Sequence, residues 1–508
     1  LTSWTDPDGT ISYTYDGNGN VLTVTDTNGT ITREYDKLNR ITKYTDTQGN
    51  ILQYQYDEVG NLITLTYPDG KQVRYGYDSA NQLTTVTDWA ERKTRYTYDP
   101  NGRSISTERP NGTKMTRVYN EAGQLKQQKD IVVATSEIIS QFDFEYDAAG
   151  NIIEEKTLFE PDPDINLEMT YQAANRLATH NGNAVQFDPD GNIIKGPLSG
   201  GWVDFAFDSR NRLTQAGSTV YRYDAENQRI GVNQTSYVVN SQPALSQVLV
   251  KTETDGIQTF YVYGLGLIGQ ETNGEYTNYH FDFRGSTVAL TDETAQVIER
   301  FQYSPYGLLL GGDATKTPFL FNGMYGVMTD DNGLYYMRAR FYSPNIRRFI
   351  NQDILLGNIV DGQTLNRFVY VLGNPIVYID PLGLEVYLCE MSFLYSWNPI
   401  KHQWIKTDSK KAGMGPIKSD CWEDPMSDIP YDSVQICDHS KFTNDPGVVC
   451  YKQEYIDENK VNELLEIGTP LGRWSAWNNC HTFAALVLEE ASLLGPSRRV
   501  LMERVFTP

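Results

Sequence analysis

The sequence predicts a mainly β fold: a long run of hairpins stacked into a spiral shell, followed by a small α+β domain. Three observations carry this. A Tyr-Asp dipeptide recurs every 20 or 21 residues, the runs between copies alternate apolar with polar residues, and the pattern stops before residue 385, beyond which all five cysteines lie.

The repeat is read first, because a fixed period in this range decides the architecture. Tyr-Asp or a close variant stands at Tyr15-Asp16, Tyr35-Asp36, Tyr56-Asp57, Tyr77-Asp78, Tyr98-Asp99 and Tyr119-Asn120, with looser copies from Tyr146-Asp147 to Phe281-Asp282. Short alternating runs rich in Thr, Tyr and Val are strand signals. Gly or Asn within about four residues of each Asp, and Gly in the second turn of a unit (Asp69-Gly70, Asn111-Gly112), supply the positive φ of tight turns. Each unit is therefore expected to be a hairpin. A lone hairpin cannot bury its apolar face, so the units must stack. A twisted sheet of this many strands does not stay flat, and curling into a closed or spiral shell removes its exposed edges; a solenoid scaffold with no cavity fits the periodicity equally.

Length and charge narrow the function. A chain of 508 residues suggests two to four domains. The net charge of -22 argues against a nucleic-acid binder and against adsorption to anionic membranes. No apolar run reaches the roughly 20 residues of a spanning helix, and no signal peptide opens the chain. Because the repeats are already under way at Leu1, the chain reads as a fragment or processed product. The cysteines (Cys389, Cys421, Cys437, Cys450 and Cys480) are odd in number and lack C-x-x-C spacing. Two disulfides and a free thiol would suit an oxidising compartment, five thiols the cytosol, and neither a metal nor a cofactor is implied.

The seam between the two compositions is Pro375-Ile-Val-Tyr-Ile-Asp380-Pro381-Leu-Gly383-Leu384. The repeats resemble the YD repeats of the Rhs family of bacterial polymorphic toxins. The stretch Gly333-Leu-Tyr-Tyr-Met-Arg338-Ala-Arg340-Phe-Tyr342 through Gln352-Asp353 is similar to the Rhs core-associated segment, and Asn366-Arg367-Phe-Val-Tyr370 through Leu384 to its end. The resemblance covers about residues 1 to 384. It implies a hollow β-cocoon over 1–332, a core segment over 333–384 with an aspartyl autoprotease, and a toxin over 385–508. The implied cut falls between Leu384 and Glu385, with Asp353 and Asp380 as its carboxylates and Arg367 as a guanidinium that holds one of them. Asp361, in an apparent inserted loop at 357–363, competes with Asp353. The bland alternative is that Asp380-Pro381 and Gly383 merely make a turn, with Asn374 and Pro375 shaping the backbone. Two carboxylates placed close together cannot both ionise freely, so one serves as acid and the other as base.

The segment 385–508 carries 12 Lys/Arg against 18 Asp/Glu, a balance that disfavours a nuclease or deaminase. Its chemical signal is Trp474-Ser-Ala-Trp477-Asn-Asn479-Cys480-His481-Thr-Phe483. Asn479 suits an N-cap, and Phe483, Leu486 and Val487 follow at helical spacing. Cys480 would then start a helix, where the dipole lowers a thiol pKa. His481 points about 100° away on such a helix, which leaves His439 or His402 as base, with His439 preferred. Cys437 is a rival thiol, and a buried or disulfide-bonded Cys480 is the plain alternative. If the other four cysteines pair among themselves, Cys480 is the free one. The His-before-Cys order with an Asn-Cys-x-x-Phe helix start resembles permuted papain-like enzymes related to NlpC/P60 hydrolases.

The resemblance implies a secreted effector delivered into a target bacterial cell by a type VI system, with the periplasm as one destination. It implies as partners a cognate immunity protein and a secretion-system spike or adaptor, without nucleic acid or stable membrane insertion. The expected toxin is a cysteine hydrolase acting on peptidoglycan; lipid acyl or protein amide bonds stay open. The rival from another class is a non-enzymatic cell-surface YD-repeat adhesion protein.

Overall fold

A computed structural model describes residues 2–157, 167–353, 363, 365–376 and 378–383, together with the backbone of six short strands between 389 and 472. Residues 1–353 and 361–383 form one compact unit, and 354–360 with 384–508 a second.

The first unit is built as the repeat predicts. A 15-stranded sheet runs in chain order from Ser3–Asp6 to Ile152–Thr157, and a 13-stranded sheet from Gln186–Phe187 to Val297–Arg300. Every paired strand in both is antiparallel to its predecessor, with a register shift where each Tyr-Asp strand ends, as between Thr14 and Tyr15 or Gln55 and Tyr56. Alternation places Ile11, Val24, Ile31, Leu52 and Val73 on one face with no exposed surface. The opposite face carries threonines that bond across strands, such as Thr14 to Thr23 at 2.6 Å and Thr25 to Thr30 at 2.9 Å. Fully burying one aliphatic side chain stabilises by about 1.5–3 kcal/mol, so the apolar face fixes the register.

The geometry explains why the repeated residues are Tyr and Asp. The Asp57 carboxylate accepts the amides of Val59 and Asn61 at 3.1 and 2.8 Å, and the Asn61 side chain at 2.8 Å. Asp16, Asp99 and Asp208 make the same set with Asn20, Arg103 and Arg212. The left-handed position three residues after Asp is filled by Gly19, Asn39, Gly60, Asn81 and Gly102 in successive units. There Gly is unstrained and Asn is tolerated. The tyrosine reaches backwards: Tyr35 donates to the carbonyl of Val21 at 2.8 Å, Tyr56 to Ile41 at 2.9 Å and Tyr77 to Leu62 at 2.9 Å.

The second sheet follows the first in step. Arg210 pairs with Asp6, Glu226 with Arg33, Asn240 with Tyr54, Glu271 with Arg92 and Thr291 with Asn111. These contacts span 179 to 204 residues. The near-constant offset means that the chain returns alongside itself repeat by repeat, and the apolar residues of both sheets form one core. Among these links, Arg33 and Glu226 are both buried, and Asp224 beside them has its carboxyl pushed up to about 8 by burial and then by the Glu226 charge.

A 4-stranded sheet closes the first unit: Met328–Thr329, Tyr335–Met337, Arg340–Ser343 and Arg348–Phe349. It packs an aromatic cluster in which Tyr342 and Tyr370 lie 4.6 Å apart and Tyr335 and Tyr342 stack at 6.1 Å. Arg229, wholly buried, anchors it to the second sheet through Asp330 at 2.7 Å and lies 4.1 Å from the Tyr336 ring.

In the second unit, the described backbone forms a 6-stranded sheet whose strands include Cys389–Ser392, Lys401–Lys406, Val434–Asp438 and Val448–Cys450. Cys389 and Cys450 occupy opposed register positions, and His402 lies opposite Met391. The helix expected from Cys480, and Cys480, His439, Cys421 and Asp361 themselves, lie outside the described residues, as do Leu384 and Glu385. Among the described residues no helix is long and apolar enough to cross a membrane.

Candidate functional site

Asp353 ends the segment that follows Arg348–Phe349. Backbone bonds tie this segment on two sides: Phe349 N–H to the Phe368 carbonyl at 3.0 Å and Ile350 N–H to the Phe341 carbonyl at 3.0 Å. The Asp353 amide then donates to the Arg367 carbonyl at 2.8 Å. Gly191 makes room here, because a Cβ at that position would stand 2.5 Å from the Gln352 side chain. Asp353 and Asp380 are each 7% exposed.

One guanidinium joins the two carboxylates. Arg340 Nη1 lies 2.7 Å from Asp353 Oδ2, and Nη2 lies 3.6 Å from Asp380 Oδ2. The Arg340 plane stands 3.7 Å over the Phe349 ring, an apolar backing that keeps the cation out of water. Tyr370 faces Asp380, and its phenol is pushed up by burial and then by the Asp380 charge. A cation between two carboxylates alters the expected acid–base logic. Arg340 places a positive charge beside both carboxylates, so they do not face each other uncompensated.

The seam segment lies along the same strand connection in one-to-one register. Arg338 Nη1 donates to the Pro381 carbonyl at 2.7 Å, Ala339 N–H to the Leu382 carbonyl at 3.2 Å, and Arg340 Nε to the Gly383 carbonyl at 2.7 Å. Three consecutive carbonyls are thus held by three consecutive residues. Gly383 has φ +70°, and a Cβ there would approach the Met337 carbonyl to 3.0 Å and the Arg340 nitrogen to 3.2 Å. Only glycine fits this approach without strain. The Leu384–Glu385 bond is one peptide beyond the last held carbonyl, and consecutive Cα atoms are about 3.8 Å apart.

Of the residues singled out by sequence, Asp353, Asp380 and Arg367 come together. Arg367 contributes its carbonyl to the Asp353 amide and to Arg340 Nη1 at 3.2 Å, and its guanidinium meets the Gln352 amide oxygen. Sequence reasoning missed Arg340 as a member of the site. The signal was present: Arg338 and Arg340 are two cations in an aromatic-rich stretch of the chain, where an unpaired charge is rarely buried.

Hairpins stacked repeat on repeat, with an aromatic core segment that holds the carbonyls of residues 381–383, define a YD-shell protein. A family model for the Teneurin YD-shell matches residues 1–119 and 108–264, and the chain belongs to that family. It is 26% identical over 289 residues to the tRNA3(Ser)-specific nuclease WapA of Bacillus spizizenii, a match covering 52% of this chain and 12% of that protein. It is 27% identical over 260 residues to the double-stranded DNA deaminase toxin A of Burkholderia cenocepacia, covering 47% of this chain and 17% of the relative. The chain therefore spans less than a fifth of the length of either relative. Its fold is similar to a crystal structure of TcdB2-TccC3, with a TM-score of 0.57 at 18% identity over 75% of this chain and 26% of that one.

Proposed function

We propose that the chain is the shell and self-cleaving core of a secreted toxin carrier, in which Asp353 and Asp380 hydrolyse the Leu384–Glu385 bond and free the segment from Glu385 onward. The carrying observation is Arg340, which contacts both carboxylates and the Gly383 carbonyl at once. In this reading the ionised carboxylate takes a proton from water as the water oxygen bonds to the Leu384 carbonyl carbon. The protonated carboxylic acid then delivers its proton to the Glu385 nitrogen as the C–N bond breaks, leaving a Leu384 carboxylate and a free amine. Arg340 neutralises charge and holds the strand in line, and Arg367 supports the Asp353 backbone. The test is intact mass of the purified chain. Two fragments from wild type and one intact chain from Asp353→Asn/Asp380→Asn are expected. A wild-type chain that stays whole, or a double variant still cut, removes the reading.

The relatives named as a tRNA nuclease and a DNA deaminase toxin support an enzymatic toxin as cargo. For this chain the proposed cargo is a cysteine hydrolase with Cys480 as nucleophile and His439 as base, acting on the peptide part of peptidoglycan after delivery by a secretion system. The 12 Lys/Arg and 18 Asp/Glu of 385–508 favour this over a nucleic-acid substrate. Expression of 385–508 in bacterial cytoplasm and periplasm, with and without Cys480→Ala, decides it. Toxicity indifferent to Cys480 eliminates the hydrolase, and toxicity confined to the cytoplasm eliminates peptidoglycan.

A further inference from the structure

The geometry points to Arg338 as the positioning residue that selects which peptide bond reaches Asp353 and Asp380, an inference that rests on the self-cleavage reading. Its guanidinium converges on three main-chain carbonyls from three separate places: Pro381 in the seam at 2.7 Å, Ser246 before the Gln247–Thr252 strand at 2.7 Å, and Tyr325 in the Gly323–Tyr325 turn at 2.7 Å. Nε adds the Ser246 hydroxyl at 3.2 Å. Arg338 itself sits at φ +58°, a left-handed conformation that a non-glycine residue adopts only under constraint. Gly326 makes way for it, since a Cβ there would stand 2.7 Å from Nη2.

No carboxylate among the described residues ion-pairs with Arg338. Desolvation pushes its guanidinium down to about 10, so it remains a cation at neutral pH, satisfied by three carbonyls and the Ser246 hydroxyl. With the cation half-buried and held only by neutral groups, the arrangement is poorly explained by stability. It is well explained by registration. Ser246 and Tyr325 fix the guanidinium to the shell, and the remaining donor fixes Pro381 to the guanidinium. The carbonyls of Pro381 through Gly383 are then held in register against Arg338, Ala339 and Arg340, and the proposed Leu384–Glu385 bond follows directly in sequence. Arg338 touches neither catalytic carboxylate, which separates its role from that of Arg340.

The experiment follows the full-length chain in cell-free synthesis with a pulse–chase, reading the cleavage rate and the mass of the released fragment. Arg338→Ala is expected to cut about 100-fold more slowly, the scale of a loss of alignment, and to release fragments with start sites beside Glu385. Its pH–rate profile should keep the wild-type shape, because the acid and base are untouched. Arg338→Lys, which reaches fewer carbonyls, should be intermediate in rate. Arg338→Ala that cuts only at Leu384–Glu385 with wild-type speed overturns the inference while self-cleavage stands. An uncut wild type, or cutting in Asp353→Asn/Asp380→Asn, overturns both. Should Arg338→Ala melt well below the uncleaved Asp380→Asn chain, Arg338→Lys decides: slowed or misplaced cutting supports the role, and wild-type cutting refutes it.

Discussion

Arg340 Nη1 stands 2.7 Å from Asp353 Oδ2 while Nε of the same side chain holds the Gly383 carbonyl at 2.7 Å. One side chain therefore contacts a candidate carboxylate and also holds the seam segment that precedes the proposed cut. Arg340→Lys keeps a cation and loses the planar fork that makes both contacts. Cleavage in Arg340→Lys should fall by about 10² to 10³, the range for removing one preorganised donor. Quantifying intact and cut chain by mass after a fixed chase checks this, and an unchanged rate would leave Arg340 a structural bolt.

Asp224 supplies a pH dependence remote from that site. Its folded carboxyl is raised to about 8 from an ordinary 3.8. A raised pKa adds stability that is complete below about 4 and lost as pH climbs toward 8. Asp224→Asn should flatten stability across this window and gain most over wild type at pH 8. The turn would survive, because Asn120 fills the equivalent position and accepts the Gln124 amide at 2.9 Å. Melting temperatures of both proteins at pH 5 and pH 8 give the comparison.

The buried Arg229–Asp330 pair should respond asymmetrically. Arg229→Met leaves Asp330 buried without its cation and should destabilise by about 3–5 kcal/mol. Arg229→Met with Asp330→Leu should recover most of that loss, since no charge remains to be solvated. Denaturant unfolding of the wild type and the two variants measures both steps. Equal losses in the single and double variants would show that packing of the arginine stem, not its charge, matters.

Tyr56→Phe removes only the hydroxyl that reaches the Ile41 carbonyl at 2.9 Å. A loss of about 1 kcal/mol is expected. The change should also speed amide exchange at the Ile41–Thr45 and Leu62–Thr66 strands more than at distant ones. Exchange raised uniformly over the sheet would contradict a local tie.

The parts of the fold that were legible are those written locally. Asp57, Gly60 and Asn61 specify their turn through contacts four residues long, so the hairpins could be read without a structure. Pairing at offsets of 179 to 204 residues was not legible, because every repeat offers the same Tyr-Asp script to its neighbours. Which copy meets which is decided by particular side chains, such as Arg33 with Glu226. Motif resemblance singled out Asp353 and Asp380, and both contact Arg340. The part played by Arg340 was missed, because its aromatic surroundings in sequence signal a buried cation but not which carboxylates it meets.

The backward reach of the tyrosines has a consequence for synthesis. The phenols of Tyr35, Tyr56, Tyr77, Tyr98, Tyr146 and Tyr223 each bond to a carbonyl 10 to 21 residues earlier in the chain. Each partner has therefore already left the ribosome when its tyrosine emerges. One repeat takes about one to four seconds to translate at about 5–20 residues per second, whereas a hairpin closes in about 1–10 μs. These units can be latched to their predecessors before the next appears, so the wall can be assembled vectorially, ahead of the residues beyond Leu384.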